Sequence, residues 1–191
     1  LIIVSSRFFQ NYLQNIFLNS EINKKMKVVY FGVDTNTFDR TRFVKEKGPL
    51  TVVFLKHFLP KYGPDHFVLM ADRLLARYPN IRFIMAGSMS LMLPDIKDMV
   101  TKRKIENRVS FITDLKHEDV PRFLSQGDIF VMPSMLDSET FGVSAIEASS
   151  MEVPVVAYNV GGVKEAVKDG LTGFLVKKGD IEGLVEKVSL L

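Results

Sequence analysis

The run Pro133-Ser134-Met135-Leu136-Asp137-Ser138-Glu139-Thr140-Phe141-Gly142-Val143-Ser144-Ala145-Ile146-Glu147-Ala148 decides the fold. Immediately before it, Ile129-Phe130-Val131-Met132 is a short apolar, β-branched and aromatic segment of the kind that forms a buried strand. Within it, Val143, Ile146 and Ala148 recur at helical spacing among small residues. The stretch therefore reads strand, polar loop, helix. In an open α/β sheet, ligands bind at such a junction, beyond the carboxyl end of a strand. Free N–H groups of Phe141, Gly142 and Val143 at a helix start suit an anion. Glu139 in the loop and Glu147, about one and a half turns into the helix, suit hydroxyl groups, from which carboxylates accept hydrogen bonds. A ligand that is part phosphate and part sugar satisfies both. Taken singly, two glutamates read as solvated surface charges, so their surroundings have to carry the argument.

Outward from this run the pattern is regular. Strand-like segments occur at Thr51–Leu55, Ile81–Ala86, Val109–Ile112, Ile129–Met132, Val155–Tyr158 and Phe174–Val176. Helical patterns separate and follow them: Asp65–Tyr78, Asp95–Arg103, Glu118–Ser125, Gly142–Ser150, Val163–Lys168 and Asp180–Leu190. The alternation predicts an α/β fold, a Rossmann-like, doubly wound parallel sheet of about six strands with right-handed crossovers. Ahead of it, Leu1–Val4 is strand-like, Ser5 and Ser6 are placed to cap a helix running to about Leu18, and Lys27–Asp34 contains a second short strand. The polar Thr35-Asn36-Thr37 and the charged Arg40–Lys47 fit a domain boundary.

Composition narrows the function classes. With 191 residues, 47% of them hydrophobic, the chain can bury a full core. Its 25 basic and 22 acidic residues nearly balance, and no basic block with interleaved aromatics points to nucleic acid. The absence of cysteine excludes a disulfide framework and any thiolate nucleophile or ligand. No apolar run approaches the length of a membrane span, and Leu1-Ile2-Ile3-Val4 reads as the middle of a strand, so the sequence reads as an excerpt.

Several predicted loops offer further chemistry at the same sheet edge. Lys56 and Lys61, five residues apart after the first strand of the sheet, could clamp a diphosphate. Gly87, in the run Ala86-Gly87-Ser88-Met89-Ser90, could allow close backbone approach. Gly161 and Gly162 could turn amides toward an anion, or could simply form a tight turn. Asp137 and Glu139 have the spacing to hold Mg²⁺ against a diphosphate, but two lysines already offer neutralising charge. His57, His66 and His117 lack metal-ligand spacing, and no metal is expected.

The set Glu139-Thr-Phe-Gly…Ile-Glu147-Ala, Val153-Pro-Val-Val-Ala157, Gly161-Gly162-Val-Lys-Glu165 and Asp169-Gly-Leu-Thr-Gly173-Phe-Leu-Val176 resembles the retaining nucleotide-sugar glycosyltransferases of family 4. Those enzymes have the two-domain GT-B architecture and a Glu-x7-Glu signature. The resemblance implies that residues 1–43 end an N-terminal Rossmann domain and form the linker, and that 44–191 are the C-terminal nucleotide-sugar-binding domain. It implies Glu139, Lys56 and Lys61 as catalytic residues, with Glu139 at the donor sugar and the lysines on the departing diphosphate. It gives Glu147 the ribose hydroxyls and sets Thr140, Phe141, Gly142, Gly161, Gly162, Gly87 and Thr113 around the donor. The donor would be a UDP-, GDP- or ADP-sugar, used without cofactor or metal. The acceptor, a glycan, lipid or small molecule, would bind mainly to the N-terminal domain. A cytoplasmic enzyme of carbohydrate or cell-envelope biosynthesis follows, with at most peripheral association at the cytoplasmic face of a membrane.

The sequence also departs from the family. Relatives carry Gly-Arg, four residues and Lys-Gly where this chain has Lys56…Lys61, with Tyr62 intruding before Gly63; the alternative register would substitute His57 and Tyr62. Thr113 and the Met151–Pro154 turn replace usual glycines. A binding module without transfer activity, or a nucleotide-sugar epimerase, are the rival readings. Retention of both glutamates speaks against the module, and the whole Glu139–Gly173 set against the epimerase.

Overall fold

The computed structural model describes residues 1–18, 20–45, 47–88 and 90–191; Met89 of the glycine-containing loop and Glu46 of the charged Arg40–Lys47 run lie outside them. Six strands form one sheet: β3 (Thr51–Leu55), β4 (Arg82–Ala86), β5 (Val109–Ile112), β6 (Ile129–Met132), β7 (Val155–Tyr158) and β8 (Gly173–Val176). Their order is β5-β4-β3-β6-β7-β8, and every pairing is parallel. The chain thus builds outward from β3 to β5 and then returns to β3's other side for β6. This is the doubly wound order, and the reversal between β3 and β6 opens a crevice at their carboxyl ends.

Burial explains why these segments read clearly. In β6 and β7 every residue is buried, and in β3 all but Leu55, whereas the edge strand β5 is only half covered. Strands covered on both faces need near-continuous apolar sequence. Helix α3 (Pro64–Arg77) packs on α4 (Leu93–Lys102) and on α8 (Ile181–Ser189). Helix α6 (Val143–Ser150) packs on α7 (Val163–Ala166), β6 and β7, and α5 (Val120–Ser125) leads into β6.

One expectation about α6 changes. Val143 is exposed, and the buried side chains are Ser144, Ala145, Glu147 and Ala148. Small residues let the helix lie close on the sheet, and that closeness, rather than a stripe of large apolar residues, sets its orientation.

The N-terminal segment forms a separate two-stranded parallel sheet, β1 (Ile2–Val4) and β2 (Met26–Val28), joined by α1 (Arg7–Ile16) and α2 (Ser20–Lys24). The second strand stops at Val28 rather than continuing toward Asp34, because β1 offers only three residues to pair with. Beyond it, Phe38 is buried in the core of the six-stranded sheet, and its carbonyl accepts from Ser150 Oγ at 2.8 Å. The segment around Phe38 therefore lies on the larger unit.

Candidate functional site

The five loops singled out in the sequence all follow strands at one edge. Lys56 follows β3, Gly87 β4 and Thr113 β5; the Pro133–Gly142 loop follows β6, and Asn159–Gly162 follows β7. A cleft of about 370 Å³ opens at the switch point, and Lys56, His57, Tyr62, Gly87, Thr113, His117 and Glu147 are among its lining residues. A larger hollow of about 570 Å³, lined by Arg42, Lys45, Arg82 and Arg122 among others, lies at the amino ends of β3 and β4. Its cations are set at the edge where strands begin, away from the loops that carry both glutamates.

Glu147 is the most informative side chain in the cleft. It is 9% exposed and has no hydrogen-bond or ion-pair partner among the described residues. Burial pushes its carboxyl above the usual carboxylate range, and the charges of His117 and Lys56 pull against that shift. A desolvated carboxylate without donors costs the fold free energy. Such a group is satisfied when a ligand brings hydroxyls to it.

Glu139 has a different setting. Its Oε2 lies 2.8 Å from Lys56 Nζ, both side chains being largely covered, and Ser134 Oγ donates to the same oxygen at 3.3 Å. The Lys56 and Lys61 ammonium groups lie 5.1 and 4.7 Å from the centre of the Tyr62 ring. The intruding tyrosine thus draws in both cations by its π face. Lys56, His57 and Tyr62 line the cleft, whereas Lys61 is not among its lining residues. His57 Nδ1 is 2.6 Å from Ser88 Oγ, which turns the imidazole toward the β4 loop.

The loop between Asp137 and Gly142 is held by its neighbours. The Gly161 amide donates to Asp137 Oδ1 at 3.0 Å and the Gly162 amide to the Glu139 carbonyl at 2.8 Å. The paired glycines therefore present no free amides to an anion, contrary to one of the two readings of the sequence. They are glycine for packing: a Cβ on Gly161 would stand 2.2 Å from the Glu139 carbonyl oxygen, and Gly161 has φ +51°. Gly87 is similar, since a Cβ there would stand 2.0 Å from the Lys56 carbonyl oxygen. Asp137 and Glu139 also have separate partners, the Gly161 amide and the Lys56 ammonium group.

At the start of α6, Gly142 takes φ +95° as the N-cap, with no side chain capping the helix. The amides of Phe141, Gly142 and Val143 donate to no group among the described residues. Phe141's ring is buried against Tyr30 and Phe31, at centroid distances of 5.6 and 6.2 Å. Thr140 is held through its carbonyl, which accepts from Ser6 Oγ.

The structure adds residues that the sequence did not single out. His117, read as an isolated histidine, lines the cleft near Glu147, and no local pattern marks it. Glu165, given no role in the sequence reading, accepts from the Arg7 and Phe8 amides at 2.8 Å each. Among the described residues, no helix is long and apolar enough to cross a membrane.

The chain is similar to known proteins in sequence and in fold. The D-inositol 3-phosphate glycosyltransferase of Mycobacterium sp. (strain KMS) is 33% identical over 179 residues, covering 88% of this chain and 39% of that protein. The gpi3 subunit of the phosphatidylinositol N-acetylglucosaminyltransferase of Schizosaccharomyces pombe is 27% identical over 162 residues, covering 84% of this chain and 35% of that protein. The chain thus spans well under half the length of these curated relatives. Among solved structures, Anabaena Alr3699/HepE, in complex with UDP and glucose, superposes with a TM-score of 0.87 at 21% identity, covering all of this chain and 52% of that one. The family profile described as glycosyl transferases group 1 matches residues 35–191, the interval that holds the six-stranded sheet and both glutamates, and the chain belongs to that family.

Proposed function

We propose that this chain is the donor-binding half of a retaining glycosyltransferase, which moves a sugar from a nucleotide-sugar to an acceptor hydroxyl. The observation that carries the proposal is Glu147, buried at the switch-point cleft without a partner, beside a Lys56–Glu139 pair. Ribose hydroxyls would donate to Glu147. Lys56, with Lys61 close by, would meet the diphosphate and stabilise charge on it as it departs. Glu139 would accept from the sugar, and the open amides of Phe141, Gly142 and Val143 would face the negative end of the donor. Every charge in this scheme comes from the chain, so transfer proceeds without a metal. The UDP and glucose bound in Alr3699/HepE favour a UDP-sugar as the first donor to test. The acceptor, whether glycan, lipid or small molecule, belongs to the N-terminal side of the cleft. The setting is the cytoplasm, with peripheral docking on a membrane where the acceptor is a lipid.

A thermal-shift panel of UDP, GDP, ADP and their hexose conjugates tests this reading, because a ligand that binds the native state raises the melting temperature. One nucleoside diphosphate should stand out, and its shift should fall in Glu147→Gln. A flat panel that also leaves Glu147→Gln indistinguishable from the parent would refute the donor site.

A further inference from the structure

Glu165 lies on α7, outside the cleft, yet its carboxylate closes the first turn of α1 by accepting the Arg7 and Phe8 amides. These donors are free at any helix start, and a carboxylate there also meets the positive end of the helix dipole. Its partners lie 158 and 157 residues away in sequence, so this is a contact between the N-terminal unit and the sheet domain. A second contact runs beside it. Ser6, fully buried, accepts from the Phe9 amide and donates to the Thr140 carbonyl, and Ser5 Oγ is 3.4 Å from Thr140 Oγ1. Thr140 adjoins Glu139, whose side chain meets Lys56 and whose carbonyl accepts from Gly162. The Glu139 loop is therefore gripped by β3's end, by α7's start and by the first turn of α1.

We infer that Glu165 is a positioning residue: it registers the N-terminal unit on the sheet domain and, through Ser6 and Thr140, fixes where Glu139 sits. Glu165 is not among the residues that line the cleft and acts through α1. The inference rests on the transfer reading above, since it assigns Glu139 a place at the reacting sugar. It separates two effects that a donor-site residue would mix. Grip on the nucleotide resides in Glu147 and Lys56 and is independent of α1, whereas the setting of Glu139 depends on it.

The test uses the longest native chain that carries this sequence, with UDP-, GDP- and ADP-hexoses as donors and released nucleoside diphosphate as the readout. Glu165→Gln keeps the shape but surrenders charge-assisted hydrogen bonding. It should lower kcat about tenfold while KM for the donor stays within about twofold. Hydrogen exchange at the Arg7 and Phe8 amides should quicken. Glu165→Asp should recover part of kcat, and Ser6→Ala should reproduce the same split between kcat and KM. Unchanged kcat, unchanged exchange, or an equal loss of donor affinity would each overturn the assignment. If the parent releases no nucleoside diphosphate from any donor, the transfer reading fails. The latch is then decided by exchange alone: protection at the Arg7 and Phe8 amides that Glu165→Gln removes supports it, and protection that persists overturns it.

Discussion

At the scale of single residues, the loop and helix that follow β6 carry two carboxylates with opposite circumstances, Glu147 lining the cleft and Glu139 paired beside it. Glu147 is ionised at a cost, because burial raises its pKa above the usual carboxylate value. A carboxyl with a raised folded-state pKa holds its proton longer in the native chain than in the unfolded one. The penalty is absent below the ordinary glutamate range, grows as pH rises through the raised value, and is constant above it. Glu147→Gln should therefore stabilise the unliganded chain at neutral pH by about 1 kcal/mol and flatten stability between mildly acidic and neutral pH. The same change should weaken nucleoside diphosphate binding about tenfold, since hydrogen bonds to a charged acceptor are the stronger kind. Urea titrations at several pH values and nucleotide calorimetry check both halves. A variant less stable than the parent at pH 7 would show that Glu147 has partners of its own.

Glu139 is already paired, which sharpens what its replacement should do. Glu139→Gln frees Lys56 from its 2.8 Å partner, so nucleoside diphosphate affinity should hold or rise while turnover falls. Lys56→Ala strands the carboxylate in a largely covered place. It should cost about 2 kcal/mol of stability and at least tenfold in nucleotide affinity. Combined in a double-mutant cycle, the two changes should be non-additive by about 1 kcal/mol or more.

Among the elements, two helices end on side chains where glycine fits better. After α6, Val153 N–H donates to the Ala148 carbonyl and Glu152 N–H to the Ser149 carbonyl, with Glu152 at φ +58°. After α4, Ile105 and Lys104 donate to Val100 and Thr101 in the same way, with Lys104 at φ +57°. Both are Schellman endings with a left-handed residue at the step where glycine is favoured. The turn at Met151–Pro154, which departs from relatives by lacking glycine, thus carries a conformational cost. Glu152→Gly and Lys104→Gly should each raise stability by up to about 1 kcal/mol, the relief of the left-handed conformation exceeding the entropy glycine adds to the unfolded chain. Thermal melts of the single and double variants measure it, and additivity is expected for endings on separate helices.

The same scale shows what the sequence could and could not disclose. The six strands were readable because the central ones are apolar on both faces and bounded by polar loops, and Thr51–Leu55, Val109–Ile112, Ile129–Met132 and Val155–Tyr158 fall where the pattern puts them. The loops Lys56, Thr113 and Glu139 followed from the strands, since each stands at a carboxyl end. The buried face of α6 was not readable, because Ala145 and Ser144 carry little hydrophobic signal of their own. Nor was the employment of the Gly161 and Gly162 amides, which is fixed by a loop more than twenty residues away, at Asp137. Glu165 looked like any half-exposed helical acid, because its partners are brought to it only by the packing of α1.

For the whole molecule, the function proposed above separates holding the donor from using it. The sheet domain carries Glu147, Lys56 and Glu139, whereas among the described residues α1 and the Tyr30–Phe31 segment reach the Glu139 loop through Thr140 and Phe141. The chain alone should accordingly bind nucleoside diphosphate, but weakly, and transfer no sugar. Calorimetry and a radiolabelled-donor assay on the 191 residues test this, and measurable turnover would place the acceptor site on this chain.

The strand order also dictates when the molecule can finish folding. β3 lies at the middle of the sheet but is made before any other strand of it, and its second neighbour, β6, comes much later. The Thr51 amide and the Asp128 carboxylate that join their starting ends are 77 residues apart. Until that long loop closes, an apolar central strand has one edge open to other chains. Contacts so distant in sequence form slowly. The crevice between β3 and β6 is therefore also the seam whose two sides lie farthest apart in sequence, and a nascent chain stays exposed to aggregation along that line until β6 has been made.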